Sequence, residues 1–247
     1  MKTVGVVPAR YASTRFPGKP LALIAGQPMI VRVWERARRA SSLDQLVVAT
    51  DDDRIAGVCR DAGIDVLMTS SSHDTGTDRI AEVSALVKAD VFVNVQGDEP
   101  LLDPASIDDC VECLVGAASR GIEVATVYVD ATASEQIESP SSVCLVPSVD
   151  GCVLSLSRLP IPCEFRVPYA HKIHVGLFAF TAAALARFAA RQPGPVERSE
   201  SIELLRFLEY GDRIACRQIG AGPIGVDRPE DIVRVEAILA SAAEGRA

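Results

Sequence analysis

Short runs of almost continuously apolar residues alternate with segments of helical spacing along the first 120 residues. Such runs lie at residues 3–7, 45–50, 65–68 and 91–95. Uninterrupted apolar runs are typical of parallel strands buried on both faces. Between them, residues 29–40 and 51–63 repeat their apolar positions at helical spacing. The βαβαβ order predicts right-handed crossovers and an α/β fold with a doubly wound, mostly parallel sheet.

The pattern changes after residue 120. Four strand-like runs follow one another with turns between them, at residues 124–129, 142–146, 152–156 and 174–180. A helical segment at 181–191 comes next. This order predicts a smaller antiparallel insertion. Because we find no internal repeat, low-complexity tract or clear linker, we expect residues 1–247 to form a single domain.

Composition narrows the class of protein. With 247 residues, of which 48% are hydrophobic, the chain can bury a sizeable core. No apolar run approaches the roughly 18 to 20 residues of a membrane span, and the opening residues lack the features of a signal peptide. We therefore expect a globular protein of the cytoplasm that does not contact a membrane.

The seven cysteines are odd in number and scattered, which favours reduced thiols over a disulfide framework. Cys110 and Cys113 form the most motif-like pair. They share their segment with apolar residues at helical spacing, and no second CxxC would complete four metal ligands. We expect core thiols here rather than a metal or redox site.

A basic loop follows the first predicted strand. The formal net charge is −8, yet the first 34 residues hold five Lys or Arg and no Asp or Glu. The loop at residues 8–21 contains Arg10, Arg15, Lys19 and three prolines. A stiff basic loop at the carboxyl end of a parallel strand is suited to polyphosphate. A solvated basic turn is the alternative, and the acidic net charge argues against nucleic acid.

Two familiar phosphate-binding motifs do not apply. Lys19 is followed by Pro20, and Ser13 stands where the first glycine of a Walker A loop would be. The sequence Gly220–Gly225 spells G-x-G-x-x-G, but it lies near the C-terminus, contains a proline and precedes no βαβ unit. We interpret that segment as a turn.

Two carboxylates are candidate metal ligands. Asp98 comes directly after the predicted strand at 91–95, where a Mg²⁺ ion bound to a nucleotide would lie. Asp227 lies in a glycine-flanked turn just before a predicted helix, with Pro229 near the first helical position. Taken alone, Asp227 is more typical of a helix N-cap than of a metal ligand. Together the two aspartates form the halves of a possible Mg²⁺ site.

Ordered motifs across nearly the whole chain resemble those of 3-deoxy-manno-octulosonate (Kdo) cytidylyltransferases. These motifs are PARYASTRFPGKPL, VVATDD, HDTGTDRIAEV, VNVQGDEP, SRLPIP, HVGLFAF and GVDRPEDI. The resemblance implies a sugar-nucleotide type of nucleotidyltransferase fold, CTP as donor, Mg²⁺ as cofactor, pyrophosphate as leaving group and a homodimer. It also implies a nucleotide-binding half at residues 1–120 and an acceptor-binding and dimerisation half at about 121–225.

The resemblance also implies roles for individual residues. The positions that match CTP-binding residues are Ala9, Arg10, Ser13, Arg15, Lys19 and Gln96. The positions expected to bind the acceptor are Arg79, His174, Glu200 and Glu203. Asp98 and Asp227 match the metal ligands, and they form the expected catalytic set with Arg10 and Lys19.

Three residues depart from the family pattern. Cys144 stands where the family tends to have lysine, Leu204 where it has glutamine, and Phe178 where it has tyrosine. A site that loses hydrogen-bonding groups binds a polyhydroxylated acid less well. The acceptor is therefore a Kdo-type sugar acid or a smaller acid, for example a phosphonate such as phosphonoformate of an antibiotic pathway. Ordinary drift of the three positions, or an inactive CTP-binding protein, are the alternatives.

Overall fold

The computed structural model describes residues 1–12, 16–133, 137–139, 141–222 and 224–244. Its strands are β1 (Thr3–Ala9), β2 (Leu23–Ile24), β3 (Gln27–Pro28), β4 (Gln45–Thr50), β5 (Val66–Met68), β6 (Val91–Asn94), β7 (Val124–Asp130), β8 (Cys144–Pro147), β9 (Val153–Ser157), β10 (Lys172–Thr181) and β11 (Ala215–Gln218). Its α-helices are α1 (Met29–Ala37), α2 (Asp53–Asp61), α3 (Gly76–Leu86), α4 (Pro104–Ala117), α5 (Ala182–Ala190), α6 (Pro195–Glu200), α7 (Leu204–Glu209) and α8 (Asp231–Glu244). Short 3₁₀ turns occupy Lys19–Leu21 and Ala118–Arg120.

The main sheet contains nine strands in the described part of the chain, with β11-β7-β10-β6-β1-β4-β5 as its longest path. Strands β6, β1, β4 and β5 are parallel neighbours. Neighbouring side chains on one strand enter different hydrophobic clusters: Val6 packs into one and Val7 into the other. The sheet is thus buried on both faces, which is the physical reason for the uninterrupted apolar runs.

The antiparallel part joins the same sheet. Strand β10 lies between β6 and β7 and runs antiparallel to both, while β8 and β9 extend from β10. The pairing of β10 with β7 shifts register between Val175 and Phe178. The predicted fold class, a mostly parallel α/β sheet with a smaller antiparallel part, is confirmed. The division of function at residue 120 stays a prediction.

Helix starts follow the polar residues that precede them. The Asp52 side chain accepts the Arg54 N–H at the start of α2. Thr75 and Asp78 form a reciprocal capping box at the start of α3. This box fixes the direction in which α3 leaves the loop at residues 69–75, and that loop borders the candidate site.

The CxxC pair lies on α4, as the helical spacing predicts. Cys110 is fully buried in a core cluster, and burial raises the pKa of its thiol well above the usual value. Cys113 is half-buried and packs against the same cluster. Both cysteines therefore contribute to the core. In the ranges described above, no helix combines the length and apolarity that a membrane crossing requires.

Candidate active site

The candidate site is a cavity of about 550 Å³ at the carboxyl ends of β1 and β6. The two strands are parallel neighbours, with Val6 opposite Asn94. Residues that leave the two strands therefore meet at one sheet edge, where ligands of open α/β sheets bind. The backbones approach closely there, since a Cβ atom on Gly97 would lie 3.0 Å from the Pro8 carbonyl oxygen.

Lys19 connects the three segments that build the site. Its Nζ donates to Asp98 Oδ2 at 2.5 Å and to the Val226 carbonyl oxygen at 3.0 Å, and it lies 3.9 Å from Asp227 Oδ1. Gly18, with φ of 71°, turns the chain into the short 3₁₀ turn that carries Lys19. The ammonium is thus a cation shared by two carboxylates that lie 129 residues apart in sequence.

Asp227 lies in the turn that leads into α8 and not directly before the first helical residue. The helix begins at Asp231, four residues later, and the Asp231 carboxylate accepts the N–H groups of Asp227 and Arg228. The Val226 N–H donates to the Asp98 carbonyl oxygen at 2.9 Å, which ties the Asp227 segment to the end of β6. Both aspartate side chains are about one-third exposed, at 31% and 34%.

The two aspartates fit the donor set that Mg²⁺ prefers. Mg²⁺ is commonly bound by one or two carboxylates, with substrate phosphates and water completing its shell. Asp98 and Asp227 already converge on one cationic group, the Lys19 ammonium. No group of three or more His, Cys, Asp or Glu residues that could hold a metal occurs in the described ranges, so a metal here would draw its remaining ligands from substrate and water.

The other expected CTP-binding residues divide into two sets. Ala9, Arg10 and Gln96 line the cavity, whereas Ser13 and Arg15 lie outside the described residues. Gln96 packs against Gly176 of β10, where a Cβ atom would come within 2.7 Å of Gln96 Cγ. A side chain at position 176, at the register shift of β10, would therefore displace the Gln96 side chain from its present place.

Arg79 lines the cavity but is largely committed to protein partners. Its side chain is 4% exposed, and its Nη2 lies 3.2 Å from Asp51 Oδ2. Its Nη1 donates to the Thr69 hydroxyl and, at 3.3 Å, to the Ser70 carbonyl oxygen. Arg79 thus joins the start of α3 to the carboxyl ends of β4 and β5.

Glu203 also lines the cavity and binds the first turn of α3. Its carboxylate accepts the N–H of Gly76 at 3.1 Å, the N–H of Thr77 at 2.9 Å and the Thr77 hydroxyl. Burial raises the pKa of Glu203, and the hydrogen bonds from Thr77 and Gly76 oppose that rise. A carboxylate at this position suits the positive end of the helix dipole.

Two residues expected to bind the acceptor do not line this cavity. The Glu200 carboxylate accepts the Ser157 hydroxyl at 2.8 Å and the Arg158 N–H at 2.9 Å, which anchors α6 to the end of β9. His174 bonds the Thr126 hydroxyl through Nε2 at 2.8 Å and stacks on Phe178. Burial lowers the pKa of His174 to about 3. Acceptor-binding roles for both residues stay predictions.

The three residues that depart from the family pattern are all buried. Phe178 and Leu204 belong to one hydrophobic cluster, and Cys144 is 1% exposed opposite Ile173 of β10. None of the three lines the cavity. Their side chains therefore pack in the protein interior.

The support of the cavity wall could not be predicted from spacing. Arg206 is 3% exposed and forms a bidentate pair with Glu197, at 2.8 Å and 2.7 Å. Its Nη1 reaches Asp78 at 3.2 Å, and its guanidinium stacks on Phe188. This arginine ties α6, α5 and the capping box of α3 together. Nothing in the sequence around Arg206 distinguishes it from an exposed arginine on a short helix, so its burial could not be predicted.

The fold and the site are those of a nucleotidyltransferase. A family model described as "Cytidylyltransferase" matches residues 4–214. A 3-deoxy-manno-octulosonate cytidylyltransferase of Geobacter metallireducens is 43% identical over 249 residues, covering 95% of this chain and 96% of the relative. An enzyme of the same name from Anaeromyxobacter sp. (strain K) is also 43% identical, covering 96% and 98%.

Solved structures agree with the sequence comparisons. A CMP:2-keto-3-deoxy-manno-octonic acid synthetase complexed with CTP superposes with a TM-score of 0.91 at 36% identity, covering 98% of this chain and 100% of that chain. A cytidylyltransferase from Leptospira borgpetersenii, at 18% identity and a TM-score of 0.66, shares the fold. The chain belongs to the 3-deoxy-manno-octulosonate cytidylyltransferase family.

Proposed function

We propose that this protein transfers CMP from CTP to the sugar acid Kdo, with release of pyrophosphate and with Mg²⁺ as cofactor. The observation that carries the proposal is the convergence of Asp98 and Asp227 on Lys19, with Lys19 and Asp98 lining the cavity. A cation and two carboxylates meeting at the carboxyl ends of parallel strands suit a nucleotide triphosphate and its metal. The relatives named above carry this activity in their names.

The chain's own residues contribute mainly position and charge. Arg10 and Lys19 offer charge-assisted hydrogen bonds to the triphosphate and to the pyrophosphate that leaves. Gln96, held against Gly176, offers amide donors and acceptors to the nucleotide. Asp98 and Asp227 would hold Mg²⁺, which when bound neutralises phosphate charge and lowers the pKa of the attacking acceptor hydroxyl. In-line attack on the α-phosphorus then requires that the acceptor be fixed on the other side of that phosphorus.

The direct test is pyrophosphate release from each of the four nucleoside triphosphates in the presence of Kdo and Mg²⁺. We expect release with CTP alone among the four, dependence on Kdo, and loss of release on chelation that added Mg²⁺ restores. CTP binding without pyrophosphate release would instead support the inactive nucleotide-binding alternative. Release with another triphosphate, and none with CTP, would contradict the proposal.

A smaller phosphonate acceptor has no structural observation in its favour. That hypothesis rested on three lost polar groups, and all three positions are buried away from the cavity lining. Adding small phosphonates such as phosphonoformate to the same assay tests it. We expect efficient turnover of Kdo and none of the phosphonates.

We further propose a cytoplasmic homodimer. Apolar side chains on β9 and the loop after it are largely exposed: Leu154 by 64%, Leu159 by 70%, Phe165 by 87% and Val167 by 72%. These four residues lie within 14 positions of one another in sequence, and exposed apolar surface of this kind is typical of an interface between proteins. Sedimentation of the wild type and of Phe165→Glu tests this, with a dimer expected for the first and a shift towards monomer for the second. A monomeric wild type at micromolar concentration would contradict it.

A further inference from the structure

The cavity has two walls, separated by the start of α3. A Cβ atom on Gly76 would lie 3.4 Å from Pro8 Cγ on one side and 3.7 Å from Glu203 Oε1 on the other. The first wall carries the cationic groups Arg10 and Lys19. The second wall is built by residues 193–203, around α6 and the start of α7. A ligand that fills the cavity therefore meets two different chemical surfaces.

On the second wall, the two buried carboxylates are occupied by protein partners, whereas an exposed arginine is not. Glu197 pairs with Arg206, and Glu203 binds the first turn of α3. Arg198 lines the cavity and is exposed, and among the described residues its hydrogen-bond partner is the Pro193 carbonyl oxygen at 2.8 Å. No carboxylate in those ranges lies within ion-pair distance of its guanidinium. Four of the five guanidinium N–H donors remain available to a ligand.

The backbone beneath Arg198 is firmly held. Ser201 ends α6 in the left-handed region, with φ of 53°, and its N–H donates to the Glu197 carbonyl oxygen at 2.7 Å. Arg158 donates to the carbonyl oxygens of Glu200 and Ser201 at 2.7 Å and 3.1 Å. Non-glycine residues rarely adopt this backbone conformation, and they keep it where the surrounding structure enforces it. The backbone that carries Arg198 is therefore fixed. A ligand that binds Arg198 then loses less conformational entropy than it would on a mobile loop.

We propose that Arg198 binds the carboxylate of the acceptor acid, an inference that rests on the proposed function. A planar guanidinium with parallel free donors matches a carboxylate in a bidentate pair. The first wall already supplies cations for the triphosphate, so a separate cation on the second wall suits the second anionic substrate. Asp74 also lines the cavity and adds negative charge beside the start of α3. Because that charge repels an acidic substrate, binding of an acid there needs a positive group such as Arg198.

The test compares Arg198→Gln and Arg198→Lys with the wild type in pyrophosphate release, varying Kdo and CTP separately. Because a charge-assisted bidentate contact is lost, we expect the KM for Kdo to rise about tenfold or more in Arg198→Gln. The KM for CTP should stay within about twofold, and lysine should restore part of the affinity. Arg213→Gln is the matched control, since Arg213 is exposed, pairs with Asp150 and does not line the cavity.

The outcomes separate this inference from the proposed function. An unchanged KM for Kdo in Arg198→Gln overturns it, and so does a rise confined to the KM for CTP. If the wild type releases no pyrophosphate, calorimetric titration of Kdo onto the protein decides: binding lost in Arg198→Gln supports the inference even though the transfer activity fails. Equal binding by both proteins overturns the inference, and a wild type that neither binds nor turns over Kdo overturns both.

Discussion

Replacing Lys19 by methionine keeps the length of the side chain and removes the cation at the centre of the site. In the structure this ammonium contacts Asp98, the Val226 carbonyl oxygen and, more distantly, Asp227, and its side chain is only 14% exposed. The substitution therefore leaves two carboxylates without their shared positive partner. It also removes the donor that we propose for the triphosphate.

The expected loss can be estimated from one charge-assisted hydrogen bond, which contributes about 1.5–3 kcal/mol. At about 1.36 kcal/mol per factor of ten, kcat/KM for CTP should fall about 10- to 150-fold. Lys19→Arg keeps the charge and should lose less.

The assay is pyrophosphate release at saturating acceptor with varied CTP. Lys172→Met is the matched control: Lys172 is 16% exposed and also pairs with an aspartate, Asp130, but it does not line the cavity. Its kcat/KM for CTP should stay close to that of the wild type. An unchanged kcat/KM for CTP in Lys19→Met would refute the assignment of this cation to the phosphates.

Three further predictions concern the carboxylates, the buried ion pair and the neutral histidine. Asp98→Asn and Asp227→Asn should each abolish pyrophosphate release while circular dichroism shows a folded protein; full Mg²⁺-dependent activity in either would remove that residue from the metal site. Glu197→Leu leaves Arg206 buried without its bidentate partner and should lower the free energy of unfolding in denaturant by about 3–5 kcal/mol; a loss under about 1 kcal/mol would contradict this. The pKa of His174 is about 3 in the folded protein, whereas a histidine of the unfolded chain binds a proton below about pH 6.5. Between pH 6.5 and 5 the unfolded state therefore binds more protons, and the free energy of unfolding should fall by up to about 1.4 kcal/mol per pH unit. His174→Asn should weaken that slope, and identical slopes would count against a His174 ring that stays neutral in the folded protein.

Much of the fold could be predicted because its strands are buried on both faces. Adjacent residues such as Val6 and Val7 pack into separate clusters, so the apolar pattern is continuous over β1. Arg10 follows β1 and Asp98 follows β6. Because the two strands are parallel, both residues lie at the same edge of the sheet. The location of the site therefore follows from the hydrophobic pattern and from the rule for ligands of open sheets.

The partners of individual charges could not be predicted in the same way. Spacing along the chain shows which face a residue occupies, but not which distant group it will meet. Glu203 shows the difference: its motif position suggests a ligand contact and it lines the cavity, but the motif does not predict that its carboxylate also binds the first turn of α3, about 126 residues away in sequence. Glu200 likewise anchors β9 to α6. Both pairings arise only from the packing of α6 and α7 against the rest of the chain.

The same distinction bears on the choice of acceptor. Loss of a polar group weakens substrate binding only where that group faces the substrate, and Phe178 and Leu204 instead fill a hydrophobic cluster. Their apolar character therefore contributes to packing, where a buried hydroxyl or amide would need a partner of its own. Arg198 is the opposite case. From the sequence, an arginine on a short helix is expected to be a solvated surface residue, and only the structure shows that it lines the cavity. On the proposal for Arg198, the charged groups of the second wall are the first determinants of acceptor choice to test, ahead of the positions where the sequence departs most visibly from its family.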